Sequence, residues 1–576
     1  MTPRALIASL LGLAAALSGP RLATADMAMP MPMPMSAPAS ATAMAGPPTS
    51  LAGWARGAML FQGLAKVHRP ITTTSPEAQR YFDQGMALMW GFNHDEAARS
   101  FAKAAEIDPR CAACFWGLSL TVGPNYNLPF LTAERAKVAF QAVQRAQAEA
   151  AHASPVEQAL TTALAKRYPG PSALDSDGLA PPLTGYADAM REVARRFPDD
   201  LDIQTLYAES LMNLHAWKLW TPQGAPAPGT VEIVQTLKSV LARDPGHVGA
   251  NHYLIHALEG SPHPEEALES ARRLATLAPA EGHLVHMPAH ILERVGRYED
   301  AAEANRRGAK ADLVYAGLTH APDYYAVMYT AHNYQFLAYS AAMEGRRAET
   351  LDAADKSRAV VTNAMLQQMP GLDWYVSEAY AARVRFGLWD QLLAMPAPDP
   401  KIPGLEGGYL YGRAMAQAAT GRLAEARATL AALTAFAAAL PADTGAGQNT
   451  LKDVLAIAIP TVEARIARAE HRPADEVAHL RAAVMAEDHL AYDEPWNWFV
   501  STRQVLGEAL VRNGAPAEAE TVYRQDLKTN PGNGWALKGL AIALGAQGRE
   551  AEAAQAENDF RVAWSRADAP VVASAF

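Results

Sequence analysis

Small and apolar residues recur along the chain at spacings that suit pairs of packed helices. One stretch places six of them at the positions expected in a helix-turn-helix unit of about 34 residues: Gly85, Leu88, Ala97, Phe101, Ala104 and Pro109. A second stretch repeats the same spacing with Gly507, Leu510, Ala519, Tyr523, Asp526 and Pro531. The small residues let two antiparallel helices approach closely, and the proline ends the second helix. The pattern therefore predicts repeated helical hairpins.

Less complete copies of the unit lie between these two stretches, for example "HYLIHALEGSPHPEEALESARRLATLAP" and "HMPAHILERVGRYEDAAEANRRGA". The unit resembles the tetratricopeptide repeat (TPR). Phrases such as "FNHDEAARSF" and "HMPAHILERVGRYEDA" are also similar to an exported bacterial subfamily of TPR proteins. The resemblance implies an all-α fold, an α-solenoid of TPR-type repeats with a concave groove, and it does not by itself imply a reaction.

The N-terminus and the low-complexity segments divide the chain further. A basic start, an apolar run and the small residues Ala23 and Ala25 indicate a secretory signal peptide that is cleaved after Ala25. We therefore expect a periplasmic or secreted protein. The predicted regions are a signal peptide (1–25), a Met/Pro/Ala-rich flexible linker (26–72), N-terminal repeats (73–150), helical repeats with Pro/Gly-rich insertions (151–240), His-rich repeats (241–365) and C-terminal repeats (366–576).

The net charge and the catalytic motifs that the sequence lacks disfavour several classes of function. The net charge is −10, which disfavours binding to nucleic acid or to an anionic membrane. No apolar run after the signal peptide is long enough to span a membrane. The sequence contains no Gly-rich phosphate loop, G-x-S-x-G elbow or H-E-x-x-H helix. A binding protein is therefore favoured over an enzyme.

Histidines supply the candidate chemistry. The 86 residues from His247 to His332 hold 9 of the 16 histidines. The motif H-x3-H-x2-E occurs twice there in the same repeat register, first as His252, His256 and Glu259, then as His286, His290 and Glu293. Spacings of four and three place these groups on one face of a helix. By resemblance to TPR proteins, that face lines the groove.

The duplicated motif predicts a metal site shared by two neighbouring helices, which pack roughly 8–10 Å apart. We expect His252, His256, His286 and His290 to form one set of ligands. Glu259 and Glu293 are further ligands, or carboxylates that orient the imidazoles. His283 and His332 occupy the groove's edge in the same repeat numbering. Pro288 should bend or start the helix near His286.

Imidazole with carboxylate suits transition metals and argues against magnesium or calcium. Export and a string of alternating methionines, whose soft sulfur selects Cu(I), favour copper over zinc or iron. The string consists of Met27, Met29, Met31, Met33 and Met35.

Two other interpretations remain open at this stage. The histidines could bond to each other or to glutamates within the polar groove of an adaptor that binds a protein or peptide without metal. The four histidines and two glutamates could also hold two ions, as in a metal-dependent oxidase or hydrolase. Separately, Cys111 and Cys114 are the only cysteines, and in an oxidising compartment their spacing permits a disulfide.

Overall fold

The computed structural model describes residues 46–319, 325–571 and 573–575. In these residues the chain is built almost entirely from helices joined by short turns. The α-helices cover Leu51–Ala55, Pro76–Trp90, His94–Ile107, Ala112–Val122, Ala133–Glu149, Pro155–Leu164, Ser176–Arg196, Leu201–Met212, Thr230–Arg243, Val248–Leu258, Leu268–Leu277, Gly282–His286, Pro288–Arg294, Tyr298–Thr319, Ala331–Met343, Arg347–Ala359, Asn363–Gln368, Glu378–Arg385, Trp389–Ala394, Pro403–Ala419, Leu423–Ala439, Leu451–Ala469, Pro473–Glu487, Thr502–Arg512, Pro516–Thr529, Gly534–Gly545 and Glu550–Ala563.

Shorter elements connect the helices. Single 3-10 turns cover Ala150–His152, Ala165–Arg167, Asn213–His215, Pro264–Ala267 and Tyr375–Ser377, and a π-helical turn covers Ala326–Thr330. The strands Gly445–Ala446 and Asn449–Thr450 pair antiparallel. Successive helices pack chiefly on their neighbours in sequence, and the predicted all-α solenoid of helix-turn-helix repeats is confirmed.

Close packing of aromatic rings on glycines explains the small residues of the repeat. A Cβ atom added to Gly85 would lie 2.7 Å from the ring of Phe101, and one added to Gly117 would lie 2.5 Å from it. Phe101 therefore fills the space left by glycines of two successive repeats. Near the other end, Tyr523 is enclosed in the same way by Gly507 and Gly539.

Local capping sets where the first repeat begins and turns. The hydroxyl of Ser75 accepts from a backbone N–H of the helix Pro76–Trp90, whose first residue is a proline that needs no donor there. The side chain of Asn93 caps the helix His94–Ile107 in the same manner. The two polar caps thus fix where the helices of this hairpin begin, and apolar residues pack the two helices against each other.

The predicted linker, residues 26–72, extends too far into the folded chain. Trp54 is completely buried, and Arg69 forms ion pairs of 2.9 Å with Asp200 and with Asp202. Within the predicted region 151–240, the Pro/Gly-rich stretch Tyr168–Tyr186 is likewise helical from Ser176 onward. In both places, burial of a few side chains in the folded protein outweighs the local preference for irregular structure that the amino-acid composition indicates. The sequence pattern reports only that local preference.

Two sequence predictions lie outside the described residues. They are the signal peptide, residues 1–25, and the methionine string between Met27 and Met35. Among the described helices, none combines the length and the apolar character that crossing a membrane requires.

The ring–glycine packing can be tested by comparing two helical glycines. In Gly117→Ala the new methyl group collides with Phe101, and we expect a loss of about 1–3 kcal/mol in the free energy of unfolding. In Gly185→Ala the nearest atom to the new methyl group is 3.9 Å away, so helix propensity should raise stability by about 0.5–1 kcal/mol. Thermal unfolding followed by circular dichroism compares the two. Equal melting temperatures would contradict this account of the repeat.

Candidate metal centre

Two buried helical segments carry the duplicated motif. The first is the helix Val248–Leu258. The second is interrupted: Gly282–His286 is followed by Met287, and a new helical segment begins at Pro288. Pro288 therefore starts a helix beside His286, as its missing N–H predicts.

The structure divides the histidines into two groups of three. The first triad is His252, His256 and His283, and the second triad is His286, His290 and His332. Within each triad the potential ligand atoms lie within 4.8 Å of one another. The imidazole rings of His256 and His290, one from each triad, have centroids 5.8 Å apart. The six histidines therefore form two adjoining groups of three potential ligands, whereas the sequence predicted one set of four.

His252 is held by the end of the first repeat. Its Nδ1 lies 2.5 Å from the carbonyl oxygen of Trp90, the last residue of a helix, where carbonyls lack partners within the helix. Gly249 lets the ring of Trp90 approach, since a Cβ there would lie 2.5 Å from it. A carbonyl can only accept, so Nδ1 of His252 carries the proton and Nε2 keeps its lone pair.

Glu259 holds one histidine of each triad. Its Oε1 is 2.8 Å from Nδ1 of His256, and its Oε2 is 2.5 Å from Nδ1 of His290. Glu494 also contacts Nδ1 of His290. These carboxylate contacts favour the Nδ1–H form of both imidazoles and leave their Nε2 atoms as free lone pairs.

An asparagine anchors His286, the remaining histidine of the duplicated motif. Nδ1 of His286 lies 2.6 Å from Oδ1 of Asn305. The amide of Asn305 donates from Nδ2 to the carbonyl of Ala301 at 2.8 Å, which fixes Oδ1 as the atom that faces His286. Nδ1 of His286 is therefore the donor, and its Nε2 is free of a proton.

The free Nε2 atoms face other imidazole nitrogens. Nε2 of His286 and Nε2 of His290 are 2.6 Å apart, and Nε2 of His252 is 3.1 Å from Nε2 of His283. Nε2 of His256 and Nδ1 of His283 are buried without a hydrogen-bond partner. Two lone pairs at 2.6 Å repel each other unless a proton or a metal ion lies between them, and ligands about 2 Å from one ion lie roughly 3 Å from each other.

Burial governs the protonation of these groups. It lowers the pKa of His252, His283, His286 and His290 well below the usual value, and neighbouring histidines lower it further. Burial also raises the pKa of Glu259 to about 8, whereas the Nδ1–H groups of His256 and His290 at its two oxygens favour the carboxylate form.

Glu494 is a potential ligand that the repeat pattern does not predict. With His256 and Glu259 it forms a third group of potential ligands. It lies on the segment between the helices Pro473–Glu487 and Thr502–Arg512. Arg294 secures that segment, because its guanidinium lies over the ring of Trp496 and donates to the carbonyl of Glu259 at 3.0 Å. The signal in the sequence was an unusually acidic and aromatic stretch between repeats, "AYDEPWNWF".

Glu293 does not join the triads, although it occupies the same motif position as Glu259. It accepts a hydrogen bond from the hydroxyl of Ser340, on the neighbouring helix Ala331–Met343. It belongs to none of the three groups of potential ligands found among the described residues. The two copies of the motif are therefore equivalent in their histidines and different in their glutamates.

Each triad packs against one phenylalanine. The ring of Phe92 lies parallel to those of His256 and His283, at centroid distances of 5.4 and 5.8 Å. The ring of Phe336 lies 4.7–4.9 Å from the three rings of the second triad. Phe92 has a φ angle of 56°, a left-handed conformation that costs a non-glycine residue roughly 1–2 kcal/mol. These rings exclude water from one side of both triads.

Cys111 and Cys114 are joined by a disulfide in the structure, with Cα atoms 5.3 Å apart. They lie at the start of the helix Ala112–Val122. Neither sulfur contributes to the groups of potential metal ligands.

Comparison with known proteins adds no chemistry to this geometry. No family model matches the sequence, and no curated protein matches it. Among solved structures, the chain is similar to the human IFIT1 dimer with m7Gppp-AAAA, at 12% identity and a TM-score of 0.30, over 86% of this chain and 91% of that one. It is similar to the APC/C hetero-tetramer Cut9-Hcn1, at 10% identity and a TM-score of 0.29, over 85% and 88%. It is also similar to yeast Tom70, at 11% identity and a TM-score of 0.30, over 82% and 96%. Similarity at this level assigns no ligand or activity.

The assigned imidazole forms can be tested in the metal-free protein. We expect His252, His256, His286 and His290 to be neutral and protonated at Nδ1 at neutral pH, because each Nδ1 faces an oxygen acceptor. Two-bond ¹H–¹⁵N spectra of protein labelled at histidine distinguish the two forms, and single His→Gln substitutions assign the signals. The side chain of His263, which is 65% exposed, serves as the reference signal. Protonation at Nε2 in these four residues would contradict the assignment.

Proposed function

We propose that this protein binds a pair of transition-metal ions, one in each triad. The first ion is held by His252, His256 and His283, and the second by His286, His290 and His332. Glu259 orients one histidine on each side and so couples the two sites. Three imidazoles per ion leave at least one coordination position for a further ligand.

The observation that carries this proposal is the common arrangement of the four motif histidines. Each has its Nδ1 beside an oxygen acceptor, and each has an Nε2 left without a proton inside a buried cluster. A histidine that merely stabilises a core needs only one good hydrogen bond and no converging lone pairs. Metal-binding histidines require both features, since the acceptor fixes the ring and the free nitrogen binds the ion.

We infer copper as the metal, with zinc and iron as the alternatives. Neutral imidazole suits all three ions. The methionine string and the expected export of the protein favour copper, because thioether sulfur selects Cu(I). Two neighbouring ions also suit a metal-dependent oxidation or hydrolysis.

The adaptor interpretation receives less support from the geometry. Five of the six triad histidines are buried, so a peptide lying on the surface of the repeats would not contact them. An adaptor would therefore have to use other residues and leave the histidine arrangement unexplained.

The metal content of the purified protein tests the proposal. We expect about two equivalents of metal in the unsubstituted chain, since each triad supplies a complete set of three ligands. His256→Ala with His290→Ala removes one ligand from each triad and should reduce the content to below about one half equivalent. Elemental analysis by mass spectrometry measures both.

The matched control is His68→Ala with His263→Ala, since these side chains are 66% and 65% exposed. This control should retain the metal content of the unsubstituted chain. Circular dichroism verifies that both double variants are folded. An unsubstituted protein that carries no stoichiometric metal, and gains none when copper or zinc is added, leaves the adaptor interpretation standing.

The two motif glutamates provide a second test. Glu259→Gln keeps the shape of the side chain but replaces one of its two acceptor oxygens by a donor, so one imidazole loses its anchor. We expect metal affinity to fall about 10–100-fold, as for other residues that orient metal ligands. Glu293→Gln changes a buried glutamate at the same motif position that touches Ser340 instead, and it should leave affinity unchanged. Competition with a chromophoric chelator measures both, and equal losses would argue against the orienting role of Glu259.

A further inference from the structure

A cavity of about 760 Å³ opens onto the candidate metal centre. It reaches His283 of the first triad, His332 of the second triad, and Glu494. Cavities of this size hold small organic molecules in many proteins. Because the cavity touches a histidine from each triad, a molecule inside it has access to both proposed ions.

The wall of the cavity is mainly apolar and partly aromatic. Leu128, Phe130, Trp217, Met369 and Leu372 contribute to it. Phe130 is among the few large apolar side chains exposed on the described part of the chain, at 48%. An apolar wall of this kind favours a ligand with an apolar body, because burial removes both surfaces from water.

Several charged and hydroxyl groups that line the cavity already have partners within the protein. Asp95 is paired with Arg135 at 2.6 Å, and Arg99 is paired with Glu96 at 3.1 Å. The hydroxyl of Tyr375 donates to Asp493 at 2.7 Å. The hydroxyl of Tyr329 donates to the carbonyl of Phe92 at 3.0 Å. These groups are therefore not arranged to capture a highly charged ligand.

We propose that the cavity binds a small aromatic molecule whose anionic oxygen coordinates the metal pair. This proposal rests on the proposed function, since the ions supply the polar end of the site. The apolar wall accommodates the ring, and the coordination position left by three imidazoles accepts a phenolate or carboxylate oxygen. The shared chemistry is thus an aromatic body with one metal-binding oxygen group.

The test uses the full chain loaded with copper and the phenolate probe 4-nitrocatechol, whose visible absorption shifts when it coordinates a metal. We expect a saturable shift in the loaded protein and none in the metal-free protein. Benzoate, added as a competitor, distinguishes the two oxygen sources. Displacement at similar concentrations indicates that the cavity accepts either oxygen, and failure to displace indicates a phenolate site.

Two substitutions of leucine by tryptophan locate the probe. Leu372→Trp fills part of the cavity and should weaken 4-nitrocatechol binding at least about tenfold, which corresponds to the loss of a modest contact, with metal content unchanged. Leu313→Trp adds the same side chain at a position that is 44% exposed and should bind like the unsubstituted protein. Phe130→Ala, which removes a partly exposed ring from the wall, serves as a second cavity variant if Leu372→Trp does not fold.

Several outcomes would overturn the proposal. A protein without metal overturns this inference together with the proposed function. A copper-loaded protein that leaves the spectrum of 4-nitrocatechol unchanged, or equal affinity in both cavity variants and in Leu313→Trp, overturns this inference alone.

Discussion

The N–H group of a buried imidazole must find an acceptor, and the candidate site depends on how the solenoid meets that requirement. Four histidines lie inside the protein, where an unpaired donor costs roughly 1–3 kcal/mol. Their Nδ1 atoms face a helix-terminal carbonyl at Trp90, the amide oxygen of Asn305 and the two oxygens of Glu259. Because each acceptor faces Nδ1, the free lone pair of each imidazole is on Nε2. The positions of these lone pairs then define the two triads.

The repeat architecture supplies these acceptors from parts of the chain that are far apart in sequence. Trp90 belongs to the first repeat, 162 residues before His252, and Glu494 lies in a segment between two C-terminal repeats. Where aromatic rings pack on glycines, as at Phe101 and Tyr523, successive helices approach closely. A solenoid can therefore hold a site assembled from several repeats, even though most of its contacts are between sequence neighbours.

The fold could be read from the sequence because periodicity reports the spacing of helices directly. The same register identified the histidine-bearing helices, and all six predicted histidines lie together in the structure. The register does not report how far each helix is rotated or tilted, so the division into two triads was not predictable. Glu494 lies outside the periodic pattern, and no spacing rule points to it. Glu293 shows the converse limit, since an identical motif position acquires a different partner from the neighbouring helix.

Segments outside the regular repeats form part of the wall around the candidate site. An open concave surface presents side chains to an extended peptide, which contacts many repeats at once. Here the segment that carries Asp493 and Glu494 contributes to the cavity wall, as do Gly46, Pro47 and Pro48. These additions enclose a limited space beside the histidines. A cavity of about 760 Å³ lies in the size range of small-molecule sites, and part of its wall comes from residues between and before the repeats rather than from the repeats themselves.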